Sequence, residues 1–208
     1  MLEDLKQAVL DGEQEKATQL TEKALNEGTD AERILNDALI AAMDIVGGEY
    51  ERGDRYVPEM LISAEAMKGA MDVLRPKLAE AGVKARGKVV IGTVEGDLHD
   101  IGKNLVIMML EGSGFEVEDL GIEVPADQFV NAVKEHQPDI LGMSALLTTT
   151  MVYMPEVVKA LEEAGLRSGI KVMLGGAPVT QEYSDKIGAD GYAADAASAV
   201  ELAKKLIS

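Results

Sequence analysis

Hydrophobic positions over the first 86 residues recur at helical spacing only. Leu5, Val9 and Leu10 begin a short amphipathic pattern, and a second runs from about Gln14 to Asn26. Thr29-Asp30-Ala31-Glu32 has capping-box form and opens a third helix. Its apolar residues Ile34, Leu35, Ala38, Leu39, Ala42, Ile45 and Val46 fall on one helical face. Gly47-Gly48 lies late in that helix, which is expected to run to Arg52, and Gly53-Asp54 forms a loop. Pro58 fits the first position of a fourth helix, where its missing N–H costs little. Val57, Met60, Leu61, Ala64, Met67, Met71 and Leu74 follow at spacings of three and four. Four helices with short connections predict an antiparallel bundle over residues 1–86.

Gly82-Val83-Lys84-Ala85-Arg86-Gly87 reads as a linker, and the pattern changes after it. Strands are predicted at Lys88–Gly92, Phe115–Leu120, Ile140–Ser144, Lys171–Leu174 and Gly191–Ala194. Helices are predicted between and after them at Ile101–Gly112, Ala126–Glu135, Met151–Ala164, Thr180–Ile187 and Ala196–Leu206. Five strand–helix units imply an α/β domain over residues 87–208, a doubly wound, five-stranded parallel sheet of flavodoxin-like order.

Three features fall at the carboxyl ends of the predicted strands, where open α/β sheets bind ligands. Asp97-Leu98-His99-Asp100-Ile101-Gly102 follows the first strand, Ser144-Ala145-Leu146 the third and Gly175-Gly176 the fourth. In a doubly wound sheet those strands are neighbours, so the three loops can line one cleft. His99 can offer a ring nitrogen to a metal. Asp97 can take the other ring N–H, and Ser144 can hydrogen-bond Asp97. A glycine pair after a strand lets a bulky ligand pass close to the backbone. Leu146, Leu147, Thr148 and Thr149 suit a slot of mixed polarity.

Composition narrows the chemistry. The 208 residues carry a net charge of −17, which argues against unaided binding to nucleic acid. No cysteine is present, so disulfides, iron–sulfur ligation, thiolate catalysis and zinc ligation by Cys are excluded. That fits a cytoplasmic protein. The N-terminus has no signal-peptide pattern, and no apolar stretch is long enough for a membrane helix. The second histidine, His136, precedes Gln137-Pro138 and suits a helix C-terminus rather than a site. Gly96 to Lys103 is not a P-loop: it has one residue too many between the glycines, and Asn104 follows Lys103. A response-regulator receiver would place Asp and Lys where this chain has Ser144 and Ala193-Ala194.

At these intervals D-x-H-x-x-G, S-x-L and G-G resemble the cobalamin-binding signature of methionine synthase and its relatives. The resemblance implies that the corrinoid's own lower base leaves cobalt and that its nucleotide tail inserts into the α/β domain. Carried over, His99 becomes the lower axial metal ligand, and His99, Asp97 and Ser144 form the catalytic relay. Gly175 and Gly176 line the tail channel. The implied cofactor-binding set also takes in Gly96, Leu98, Asp100, Ile101, Gly102, Leu146, Leu147, Thr148, Thr149 and Ala194.

The helical half, with Tyr56-Val57-Pro58-Glu59-Met60-Leu61, is similar to the cap of methyl-carrying corrinoid proteins that serve methylamine, methanol, betaine and aryl-ether methyltransferases. It implies that Met60, Leu61 and Ala64 form a lid over the reactive face of the corrin, with a hinge at Val83–Gly87. The implied function is methyl carriage. Cobalt(I) of cobalamin accepts a methyl group from a substrate-specific corrinoid methyltransferase, and the methylcobalt(III) form gives it to a second methyltransferase. A reductive activation protein is a further implied partner. The protein would be a carrier subunit, not a complete enzyme. The alternatives are a cobalamin-dependent sensor, tested by illuminating an adenosylcobalamin complex, and a detached mutase subunit.

Overall fold

The computed structural model describes residues 1–208. Two units emerge: Met1–Arg86 with Glu111–Gly114, and Gly87–Leu110 with Phe115–Ser208.

The first unit is helical. Helix α1 (Leu2–Leu10) buries Leu5, Ala8 and Val9, and α2 (Gln14–Asn26) buries Ala17, Thr21 and Ala24. The hydroxyl of Thr21 donates to the Ala17 carbonyl at 2.9 Å, which satisfies it inside the core. Helix α3 (Ala31–Ile34) continues through a π-helical segment, Leu35–Ile40, into α4 (Ala41–Glu51). The cap of α3 is Asp30, whose carboxylate accepts the Arg33 N–H at 3.1 Å. Thr29 therefore does not cap, and the expected capping box does not form, because Glu32 lies only two positions past the cap.

The π segment shifts the helical phase. Leu35, Ala38, Leu39 and Ile40 are all buried within it. Past it, Met43 is buried while Ile45, expected on the apolar face, is 40% exposed. Helix α5 (Val57–Glu80) opens one residue earlier than expected, with Pro58 at its second position. The Glu59 carboxylate accepts the Tyr56 N–H at 2.9 Å and closes that end. Helix α2 packs along α5. Gly69 permits the approach, since a Cβ there would lie 2.9 Å from Gln14 Cγ and Thr18 Oγ1.

The second unit alternates strands and helices. Its elements are β1 (Lys88–Thr93), α6 (Ile101–Gly112), β2 (Glu116–Asp119), α7 (Ala126–His136), β3 (Ile140–Ser144), α8 (Met154–Glu163), β4 (Lys171–Gly175), α9 (Gln181–Ile187), β5 (Gly191–Ala193) and α10 (Ala196–Leu206). The sheet order is β2-β1-β3-β4-β5, and every pair is parallel. This is the expected flavodoxin-like order. The strands read as continuous apolar runs because helices cover both faces. Val90, Leu141, Met143, Val172 and Leu174 are buried and pack with Phe129 of α7 and Leu161 of α8. The helix expected from Met151 begins instead as a 3-10 turn, Met151–Tyr153, and becomes α-helical at Met154.

Register places the site. Thr93 of β1 pairs with Ser144 of β3, and Ser144 pairs with Gly175 of β4. The three motif loops therefore leave the sheet side by side at one carboxyl edge.

Candidate functional site: a histidine held by a buried carboxylate

Asp97 lies between β1 and α6 and is fully buried. Its Oδ1 accepts the His99 N–H at 3.0 Å and lies 2.8 Å from His99 Nδ1. Its Oδ2 accepts the Leu146 N–H at 2.8 Å and the Thr150 hydroxyl at 2.6 Å. Burial pushes the Asp97 carboxyl up. The hydrogen bonds from Thr150, from the N–H groups of His99 and Leu146 and from the His99 ring outweigh it and hold the group well below the usual carboxylate range. The carboxylate is therefore ionised and acts only as an acceptor. Its partner Nδ1 carries the proton, which leaves the Nε2 lone pair of His99 free to bind a metal. The His99 side chain is 51% exposed, so that lone pair is reachable.

Ser144 does not make the expected bond to Asp97. The four donors already named fill the carboxylate, and Oδ2 faces the turn beyond the end of β3 rather than the strand itself. Ser144 is held instead through its main chain, whose carbonyl accepts the Val94 N–H at 3.0 Å. The hydroxyl in the relay belongs to Thr150, which is 5% exposed. A turn closed by the Thr150 N–H on the Leu147 carbonyl at 3.2 Å folds Thr150 back under the loop. Thr148 and Thr149 remain exposed. The available signal for Thr150 is its place in a run of three threonines in the loop after the strand.

The glycines differ in what they do. Gly176 has φ +122°, and a Cβ there would lie 1.8 Å from the Ala145 carbonyl oxygen, so the backbones after β3 and β4 touch at a point no side chain can occupy. Gly175 is less constrained, since its Cβ would sit 3.7 Å from the Ala193 carbonyl. Gly96 has φ +75° and makes the turn before Asp97. A Cβ on Gly102 would meet nothing within 4 Å. Asp100 accepts from Asn104 Nδ2 at 3.1 Å at the start of α6. Ala194 is exposed just past β5. In the helical unit Met60 and Ala64 are buried and Leu61 is half-buried.

These residues fit a corrinoid. No group of three or more His, Cys, Asp or Glu side chains gathers to cage a bare ion. One imidazole suits a metal that brings its own equatorial ligands. The loops that carry and meet that imidazole expose apolar side chains, with Ile101 86% and Leu98 61% exposed and Leu146 and Leu147 exposed beside the Leu146 N–H that reaches Asp97. Exposed apolar side chains clustered on binding loops suit contact with a ligand or partner.

A family model described as a B12 binding domain matches residues 87–201. A second model of the same description matches residues 1–75. The chain belongs to the B12-binding corrinoid proteins. Its cofactor is a corrinoid of the cobalamin type. Among curated relatives of this corrinoid protein, a corrinoid protein of Desulfitobacterium hafniense is 42% identical over 100% of this chain and 97% of its own length. Trimethylamine corrinoid protein 1 of Methanosarcina acetivorans is 43% identical, covering 97% of this chain and 94% of the relative. Among solved structures, a cobalamin-binding protein from Desulfitobacterium hafniense superposes with a TM-score of 0.82 at 36% identity, over 100% of this chain and 99% of that one. A chain of the methanol:cobalamin methyltransferase complex MtaBC from Methanosarcina barkeri gives 0.87 at 34% identity, over 98% and 78%. No helix is long and apolar enough to cross a membrane.

Proposed function

We propose that this protein carries a methyl group on cobalt from a substrate-specific corrinoid methyltransferase to a second methyltransferase. The observation that carries the reading is His99, half exposed, with Nδ1 fixed by a buried, four-fold hydrogen-bonded Asp97 and Nε2 left free. Relatives named trimethylamine and dimethylamine corrinoid proteins, and the solved MtaBC complex, support a methyltransferase partner. When bound, the corrinoid supplies a cobalt centre that accepts and releases a methyl group.

The chain's own residues set the terms. Thr150 and the Leu146 N–H keep Asp97 ionised. Asp97 keeps the proton on Nδ1 of His99 and leaves Nε2 as the atom that would hold the metal. Gly175 and Gly176, with the turn from Ser144 to Thr149, are the walls assigned to the nucleotide tail. Gly96, Leu98, Asp100, Ile101, Gly102 and Ala194 complete the proposed contact set, and Met60, Leu61 and Ala64 are proposed as a lid hinged at Val83–Gly87. Reductive activation by a further protein belongs to the same proposal.

The test is reconstitution with cobalamin, reduction, and an assay of methyl uptake and release with cognate methyltransferases. Methylation by one partner and demethylation by another is the expected result. A protein that binds cobalamin and exchanges methyl groups with no methyltransferase would refute methyl carriage.

A further inference from the structure

Lys103 lies in the first turn of α6, four residues past His99, and its side chain is 1% exposed. Lysine is among the residues least often buried, and a buried ammonium must be fully paired. Its Nζ sits 2.6 and 2.7 Å from the two carboxylate oxygens of Asp119, at the end of β2, and donates to Asn104 Oδ1 at 2.9 Å. Asp119 Oδ1 also accepts the Gly121 N–H at 2.9 Å. Gly121 belongs to the loop between β2 and α7. Two residues on, Glu123 donates its N–H to the Asp97 carbonyl at 3.1 Å.

A ring therefore closes around the histidine loop. It runs from Asp97 through His99 to Lys103, across to Asp119, along Gly121 to Glu123, and back to Asp97. Glu123 is one of two residues other than glycine with positive φ, at +52°. A side chain is costly in that conformation and persists where the surroundings enforce it. Here the residue that adopts it is the one whose N–H bonds the Asp97 carbonyl.

The carboxylate of Asp97 fixes the rotation of the His99 ring. It does not by itself fix the height of the loop above the sheet, which depends on the main chain at both flanks. Glu123 holds the Asp97 flank, and Lys103 holds the α6 flank. We propose that the Lys103–Asp119 pair, closed through Glu123, braces the loop and makes Lys103 a positioning residue for metal ligation by His99. The inference rests on His99 being the lower ligand.

The experiment reconstitutes three full-length proteins with cobalamin: wild type, Lys103→Met and Asp119→Asn. Electron paramagnetic resonance of the cobalt(II) form reports the fraction carrying an axial protein nitrogen, and the melting temperature of the apoprotein reports fold stability. Both variants should still bind the corrinoid, while the apparent affinity of the imidazole for cobalt falls about tenfold, the lower end of what losing an outer-shell partner costs a metal site. Asp119 is 40% exposed, so Asp119→Asn carries the test if Lys103→Met does not fold. Wild-type nitrogen splitting retained in full by the variants, whatever their melting temperatures, would overturn the brace alone. Wild-type protein lacking the splitting would overturn both the ligand assignment and the brace.

Discussion

Thr150 and Ser144 separate what a hydroxyl's position in sequence suggests from what its position in space does. Ser144 ends β3, in register with Thr93, and its main-chain carbonyl completes the edge of the sheet. Thr150 comes six residues later, folded back by one turn, and its hydroxyl reaches the buried carboxylate at 2.6 Å. Strand spacing shows where a strand ends but not where the following turn returns. The relay was therefore legible at His99 and Asp97, which lie two residues apart, and not at its third member. Thr150→Ala removes a hydrogen bond to a buried charge and is expected to cost about 1.5–3 kcal/mol of apoprotein stability. Ser144→Ala, which removes no side-chain hydrogen bond, is expected to stay within about 0.5 kcal/mol. Urea denaturation of the two variants checks the order, and equal losses would return Ser144 to the relay.

At the scale of elements, long periodic segments were legible and local irregularities were not. The bounds of β3, α6 and α10 follow from apolar runs framed by turn residues. The π segment at Leu35–Ile40 breaks this logic, because a wider turn inserts a phase shift that a regular helical template cannot carry. Ile45 leaves its expected apolar environment for that reason, while Met43 is buried. The cap of α3 is a second instance. Thr29 and Asp30 are both competent cap residues, and only the backbone decides between them, with Asp30 extended at φ −60° and ψ 133°. Asp30→Ala should lose about 1 kcal/mol. Thr29→Ala should change little, as measured by thermal or chemical denaturation. The opposite order would place the cap one residue earlier.

For the molecule as a whole, sequence and fold converge on the same edge of the sheet. The order β2-β1-β3-β4-β5 brings the loops after β1, β3 and β4 together, and these loops carry the motif residues. Family models cover residues 1–75 and 87–201, so both halves belong to one kind of protein. Leu98, Ile101, Leu146 and Leu147 are exposed on the loops after β1 and β3 of a chain whose net charge is −17, apolar side chains suited to contact with a macrocycle. The proposed function requires this edge to present one imidazole nitrogen, that of His99, to cobalt. Electron paramagnetic resonance of the cobalt(II) corrinoid on wild-type protein and on His99→Ala tests this most directly. Nitrogen splitting from the protein in the wild type, lost in His99→Ala while the corrinoid stays bound, is the predicted result. Splitting that survives unchanged in His99→Ala would contradict it.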